Sequence, residues 1–295
     1  MKILSRLRPA DSLTILFLVS LMVLSAGFYG RLPHADLLVL TYAALFLVQL
    51  SLIRNHETFL RNRFLDMLRH VAFPVICVLV IFNSLGLLVH DINPRDIDPL
   101  LIRLDYLIFN GYPTVMLESV HNPLVTDILQ TAYASYYFLP ISLGVILKLG
   151  KKEEEFERTV FLLLLCFYLS YVGYLLFPAL GPRYTMNHLQ SFDLGGVVIA
   201  GPIQAVLNGL EGVKRDAFPS GHTAVALVVT GLAWRFHKRF FYVTLPVVSM
   251  LIFSTVYCRY HYVVDVVGGV ILAAITFFIG DKYYGYWEAR NSTDH

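Results

Sequence analysis

The chain has 295 residues, of which 57% are hydrophobic and only 15% are charged. Soluble globular domains carry about a quarter charged residues and about 45–50% apolar ones, so a soluble enzyme and a disordered chain are both excluded. A net charge of +2, from 23 Lys+Arg against 21 Asp+Glu, offers no basic field for a polyanion and excludes nucleic acid as a partner.

A helix crossing the hydrocarbon needs about 20 mostly apolar residues, with about 17–25 tolerated. Eight stretches qualify: 11–30, 36–53, 71–90, 125–147, 159–178, 219–234, 242–257 and 262–280. The expected fold is therefore an all-α polytopic membrane bundle of about eight transmembrane helices. The first stretch follows Lys2, Arg6 and Arg8 as a signal peptide would. It is too long for a signal core and lacks a small-x-small cleavage site, so an uncleaved span is expected. Of the three cysteines, Cys77 and Cys166 sit in apolar runs and read as small buried hydrophobes.

Between the third and fourth spans, 91–120 is not a span. Asp98-Pro99 starts a helical spacing of Leu100, Leu101, Leu104, Leu107 and Ile108 around Arg103 and Asp105. An amphipathic helix at the outer interface fits this pattern, and so does a helix packed on the bundle without a lipid role.

Sidedness follows from the cations. Seven of the 23 fall at one end of the spans: Arg31, Arg95, Arg103, Arg183, Lys214, Arg215 and Arg259. The other sixteen, Lys2, Arg6 and Arg61 among them, fall at the end that holds both termini. The positive-inside bias predicts cytoplasmic termini in a cell membrane and puts the minority end on the external or periplasmic face.

That minority end carries three polar clusters. The first, Phe177-Pro178-Ala179-Leu180-Gly181-Pro182-Arg183-Tyr184, stops the fifth span and delivers Arg183 at the surface. A guanidinium fork suits phosphate or carboxylate oxygens, although a snorkelling arginine would look the same. The second runs Lys214-Arg215-Asp216-Ala217-Phe218-Pro219-Ser220-Gly221-His222 into the sixth span. Backbone N–H groups at Ser220 and Gly221, backed by the helix dipole, make a ready anion site beside His222. The third, Tyr257 to Gly269, opens the last span with Arg259, His261 and Asp265. His261 and Asp265 are i,i+4 and share a helix face, where the carboxylate can fix the imidazole tautomer. His261 follows His222 by 39 positions, room for one helix down and one back, so both histidines return to the same end.

Two histidines, an aspartate and the cations Arg183, Arg259 and Lys214 suit phosphoryl transfer. Such chemistry needs cations on the equatorial oxygens, an in-line nucleophile and a proton for the leaving alkoxide. His261 is the candidate nucleophile through a phosphohistidine, with Asp265 as its partner. His222, with an ordinary pKa of about 6.5, is the candidate acid and later base. One Asp and two His make a poor magnesium site, and zinc would leave the arginines unexplained, so no metal and no cofactor are expected.

Pro219-Ser220-Gly221-His222, followed by His261-Tyr262-x-x-Asp265, resembles the type 2 phosphatidic acid phosphatase superfamily. The resemblance implies His261 as nucleophile, Asp265 as its partner, His222 as acid and Arg183 among the phosphate ligands. It also implies a catalytic membrane core over 121–285, with 1–120 as accessory helices, and a membrane lipid phosphate as substrate. Where the phosphatase pattern places a Lys seven residues before its arginine, this chain has Leu176, and the Arg-Pro pair is reversed to Pro182-Arg183. Six before His261 the pattern's arginine is Thr255, after Ser254, which leaves Arg259 to supply that charge. The Phe-Pro-x-x-x-Pro-Arg and Ser-Thr-x-Tyr runs are more similar to the inositol phosphorylceramide synthase branch, which implies an alcohol acceptor such as inositol or glycerol. Gly221 is the phosphatase-like choice. Hydrolysis and headgroup transfer both stay open, and a transporter or an inert membrane scaffold is the rival class.

Overall fold

The structure is a computed structural model that describes residues 7–55, 62–210 and 213–292. Lys2, Arg6 and Arg61, which entered the sidedness argument, lie outside the described residues. Those residues are helical throughout, with turns and loops between. Six helices are long and apolar enough to cross a membrane, and a bent pair makes a seventh. They are α1 (Pro9–Gly27), α2 (Ala35–Arg54), α3 (Phe64–Leu85), the bent pair α5 (Pro123–Ala134) and α6 (Leu139–Leu149), α7 (Glu153–Leu176), α10 (Lys238–Tyr257) and α11 (Val263–Ser292). Between them lie α4 (Asp98–Phe109), α8 (Ala200–Leu210) and α9 (Gly221–Phe236).

The count of eight expected spans is not reproduced, for two local reasons. Pro140 sits in the first turn of α6, where a proline cannot continue the ladder of the preceding helix, and the fourth stretch bends there by 51°. The sixth stretch, α9, has 16 residues and rises only about 24 Å, short of the hydrocarbon thickness.

Helix α7 is the axis of the bundle. Its apolar window is 61% buried, against 28–39% for the other five single helices. It packs against α1, α3, α6, α9 and α11, and its side chains Leu162, Cys166, Tyr168 and Tyr171 are among the most buried. Glu153, Glu154 and Glu155 fill its first turn, where carboxylates complement the helix dipole. Phe17 of α1 stacks on Tyr168 at 4.4 Å, and Thr14 shares a 3.2 Å hydrogen bond with the same tyrosine.

Helix α4 reconciles its two expected roles. Asp98, Leu101 and Asp105 face the bundle, while Leu100, Leu107 and Ile108 are exposed. The carboxylates point inward and the aliphatics outward, the reverse of a soluble amphipathic helix. The inward carboxylates meet hydrogen-bond donors on the bundle, so the helix is packed on it.

Candidate active site

The three polar clusters meet at one end of the bundle and are tied together through their backbones. Ala217 N–H donates to the Ala179 carbonyl at 3.0 Å, Arg183 N–H to the Arg259 carbonyl at 3.0 Å, and Ser220 N–H to the Asp265 carbonyl at 3.1 Å. Gly181 is required by this weave. Its φ is +88°, and a Cβ there would run into the Tyr260 carbonyl. Gly269 lets α11 approach α9, because a Cβ at that position would meet Ser220 and Thr223. Close contact of these two helix starts is what places their histidines side by side.

His222 Nδ1 and His261 Nε2 lie 3.5 Å apart. The other nitrogen of His261, Nδ1, is 2.8 Å from the Ala217 carbonyl. A carbonyl only accepts, so Nδ1 carries the proton and Nε2 keeps its lone pair, directed at His222. Asp265 is fully buried and stands 3.4 Å from Nδ1, while its carboxylate accepts the Tyr262 N–H at 2.9 Å. The expected i,i+4 pair is therefore present, with Ala217 as the closer tautomer-fixing partner. His222 Nε2 and Asp265 Oδ1 are buried without a hydrogen-bond partner among the described residues. Orphaned polar atoms of this kind concentrate where a ligand or a reaction completes the set.

Aromatic rings hold His222 from two sides. Tyr133 stacks on it at 4.5 Å and Tyr136 lies against it at 4.3 Å. The column continues from Tyr133 to Tyr260 at 4.2 Å and ends with the Arg183 guanidinium 4.9 Å above the Tyr260 ring. Arg183 also lies 4.7 Å over Tyr184, so its cation is held flat between two faces and acts on His222 through space. Gln130 donates to the Tyr260 hydroxyl at 2.7 Å and locks the column.

Three expected phosphate ligands are placed elsewhere. Arg259 takes φ +64° at the end of α10, and its buried guanidinium bonds Glu118 at 2.6 Å, the Phe192 carbonyl at 2.8 Å and Gln190 at 3.0 Å. These bonds brace the loops, and Arg259 Nε is buried without a hydrogen-bond partner among the described residues. Ser220 is fully buried as the N-cap of α9, its hydroxyl accepting the Thr223 N–H and its own amide spent on Asp265. Gly221 packs on the Tyr174 hydroxyl, which its amide faces. At this helix start the Ser220, Gly221 and Thr223 amides already have internal partners. Lys214 is exposed and its ammonium lies 5.9 Å from the Tyr184 ring, at the rim beside Arg183.

The residues that sequence reasoning missed are the ones that hold the site. Asp105 caps α11 by accepting the Val263 and Val264 amides, each at 3.0 Å. Asp98 accepts the Leu180 and Gly181 amides at 2.9 Å and the Tyr262 hydroxyl at 2.8 Å. Burial and the neighbouring Asp98 push the Tyr262 hydroxyl well above its usual range, so it remains a donor. Burial likewise raises the Asp105 carboxyl, against the pull of its two amide donors. A signal was present, since Asp98 and Asp105 are i,i+7 and share one face of an otherwise apolar helix. Among the described residues no three His, Cys, Asp or Glu side chains converge to hold a metal ion.

Residues 101–279, from within α4 to within α11, match the family model of the PAP2 superfamily. The chain belongs to the PAP2 superfamily. Over 187 residues, 56% of its length, it is 23% identical to a PA-phosphatase related-family protein of Dictyostelium discoideum. The aligned part covers 34% of that relative, so the chain matches about a third of its length. No solved structure matches the chain. The superfamily match starts at residue 101, so α1–α3 and Asp98 lie ahead of it.

Proposed function

We propose that this PAP2-superfamily membrane protein cleaves a lipid phosphate through a phosphohistidine on His261 and passes the phosphoryl group to water or an alcohol. The observation that carries the reading is the pair of imidazoles 3.5 Å apart beside Arg183, with His261 Nε2 left as the basic nitrogen by the Nδ1–Ala217 bond. In the first half-reaction Nε2 attacks phosphorus, the bond to the lipid oxygen breaks, and His222 gives that oxygen its proton. In the second, the acceptor hydroxyl attacks phosphorus, its proton goes to His222, and the N–P bond breaks to restore His261. Arg183 binds the equatorial oxygens, and the buried Asp265 carboxylate stabilises the cationic imidazole of the intermediate. A 3.5 Å gap admits no phosphorus, so binding turns the His222 ring aside within its sandwich of Tyr133 and Tyr136.

The donor set of histidines and arginine supports a metal-independent reaction. Water and alcohol stay equal as acceptors, because none of the four reacting side chains distinguishes them. Pro182-Arg183 and Ser254-Thr255 point toward headgroup transfer and Gly221 toward hydrolysis, which keeps the two level. Thr255 turns the chain, its carbonyl accepting the Tyr260 and His261 amides at 2.9 Å.

The test is product analysis of purified protein on a panel of lipid phosphates while inositol or glycerol is raised, with and without EDTA. Released phosphate or a transferred headgroup, insensitive to EDTA, is expected. Absence of both products from every lipid phosphate sinks the reading, and loss on chelation restored by one divalent ion removes its metal-independent half. The cation asymmetry further supports an external site, so Asn187→Cys, in the exposed loop after Arg183, should react with an impermeant maleimide on intact cells. Labelling only after lysis reverses the orientation.

A further inference from the structure

A cleft of about 260 Å³ runs along α7 from His222 at the reacting end to His70 near the opposite end. Its lining residues on α7 extend from Phe156 to Tyr174, about 27 Å of helix, most of the roughly 30 Å hydrocarbon core. The walls are α3 and α6, which both pack on α7 and make at most passing contact with each other. The cleft therefore opens sideways, and Leu79 on α3 and Ile141 on α6 stand exposed at its lips. Its walls are overwhelmingly aliphatic and aromatic, so they offer little to hold water. At the far end His70 lines the cleft, and charged side chains stand behind it. His70 lies 2.7 Å from the Asp66 carboxylate and 3.6 Å from Glu157, and Lys148 closes on Asp66 at 2.8 Å.

We infer that this cleft takes one hydrocarbon chain of the substrate sideways from the bilayer, with the phosphate end at His222, and that the His70–Asp66–Lys148 floor limits the chain's length. The inference rests on the proposed function for what lies at the head end and names the tail chemistry it leaves open. Three features support it: the apolar walls, the lateral mouth facing lipid, and the reacting imidazole at one terminus. Between His222 and the floor, Thr159 Oγ1 is the one buried lining atom without a hydrogen-bond partner among the described residues, and at the floor further methylenes would have to displace an ion pair. One wall, α3, lies ahead of the superfamily match, whereas α6 and α7 lie within it, so the cleft joins the two parts of the chain.

Two variants fill the cleft without touching the reacting residues. Gly144→Leu projects from α6, where a Cβ meets only Phe156 at 3.6 Å, and Val75→Phe projects from α3. Hexanoyl and oleoyl lysophosphatidic acid are compared as substrates. KM for the oleoyl lipid should rise about tenfold in either variant, the worth of about two buried methylenes, with kcat and the hexanoyl KM unchanged. A parallel change for both lipids, or an unaltered length preference in both variants, overturns the inference. Independently of turnover, a lysophosphatidic acid carrying a diazirine at its chain terminus should label the stretch around His70–Val75, and excess oleoyl lipid should suppress that label. Labelling confined to the outer surface of the bundle, or none that oleoyl lipid displaces, refutes the tail site. The same labelling with no phosphate product would instead refute the reaction while leaving the tail site standing.

Discussion

The bundle has two polar ends, and both contain histidine, aspartate and arginine in buried positions. At the far end from the site the charges are paired with one another. Arg8 bonds Asp11 at 2.7 Å and Glu157 at 3.0 Å, Gln49 donates to Asp11 at 2.8 Å, and His70 and Lys148 share Asp66. Opposite charges there neutralise one another and lock the N-terminal hairpin α1–α2 to α3 and α7. At the site end the two histidines face each other, Asp265 keeps an oxygen unbonded, and Arg183 is held by ring faces. At the far end opposite charges pair with one another and hold the fold. At the site end the two imidazoles meet edge to edge instead, with His222 Nε2 and Asp265 Oδ1 left without a hydrogen-bond partner among the described residues.

Mutations at the two ends should therefore separate chemistry from stability. The largest effect is expected at His261→Asn, whose amide can still donate to Ala217. Turnover should fall by about 10⁴-fold or more with the thermal midpoint unchanged, and His222→Ala should cost about 10²–10⁴-fold. Activity within tenfold of the unmutated protein would remove His261 as nucleophile. Asp11→Leu, at the far end, should do the opposite. It removes the carboxylate that Arg8 and Arg69 share and should cost about 3–5 kcal/mol of stability, while kcat per folded molecule holds. Thermal unfolding in detergent together with an active-site titre reads both quantities, and a kcat loss beyond the folded fraction would erase the contrast between the ends.

Asp105→Ala sharpens the comparison because Asp105 serves the site purely by holding it. Two amides at the start of α11 lose their acceptor, a cost of about 1–3 kcal/mol. Because His261 and Asp265 flank that start, activity should fall alongside stability. Asp105→Asn, which keeps one acceptor oxygen, should recover part of both. Unchanged kcat in the alanine variant would mean that α11 holds its register without the cap. The smallest effect is expected at Ser220→Ala. Its hydroxyl is a buried N-cap, so the loss should be about 1 kcal/mol of stability with turnover nearly intact. A hundredfold fall in kcat there would return Ser220 to the phosphate site.

Much of the site was legible in the chain because its determinants are local or periodic. His261 and Asp265 share a face through the i,i+4 rule, and the 39-residue spacing brings His222 back to the same end whatever the packing. The choice among cations was not legible. Arg183 and Arg259 both follow a helix end and both neighbour a tyrosine. What separates them is Glu118, 141 positions away, which claims Arg259, and the Tyr260 ring, which carries Arg183. The acidic residues of α4 were hidden for the same reason, since nothing near Asp98 or Asp105 in sequence is a donor.

By itself, then, the sequence determined an all-helical membrane chain, the two histidine-bearing helix starts and the end of the bundle at which they meet. Those follow from hydrophobic length, helical period and the count of crossings, all of which act within a few turns of the residue concerned. Tertiary structure alone decided which helix-start amides are already bonded, which arginine bonds Glu118 and which lies on tyrosine rings, and that α3 walls a cleft leading to His222. Each of those outcomes depends on a hydrogen-bond donor, acceptor or apolar face meeting a partner tens to more than a hundred residues away. A buried polar group's role is set by whether that partner is present, and only the packed bundle brings it there.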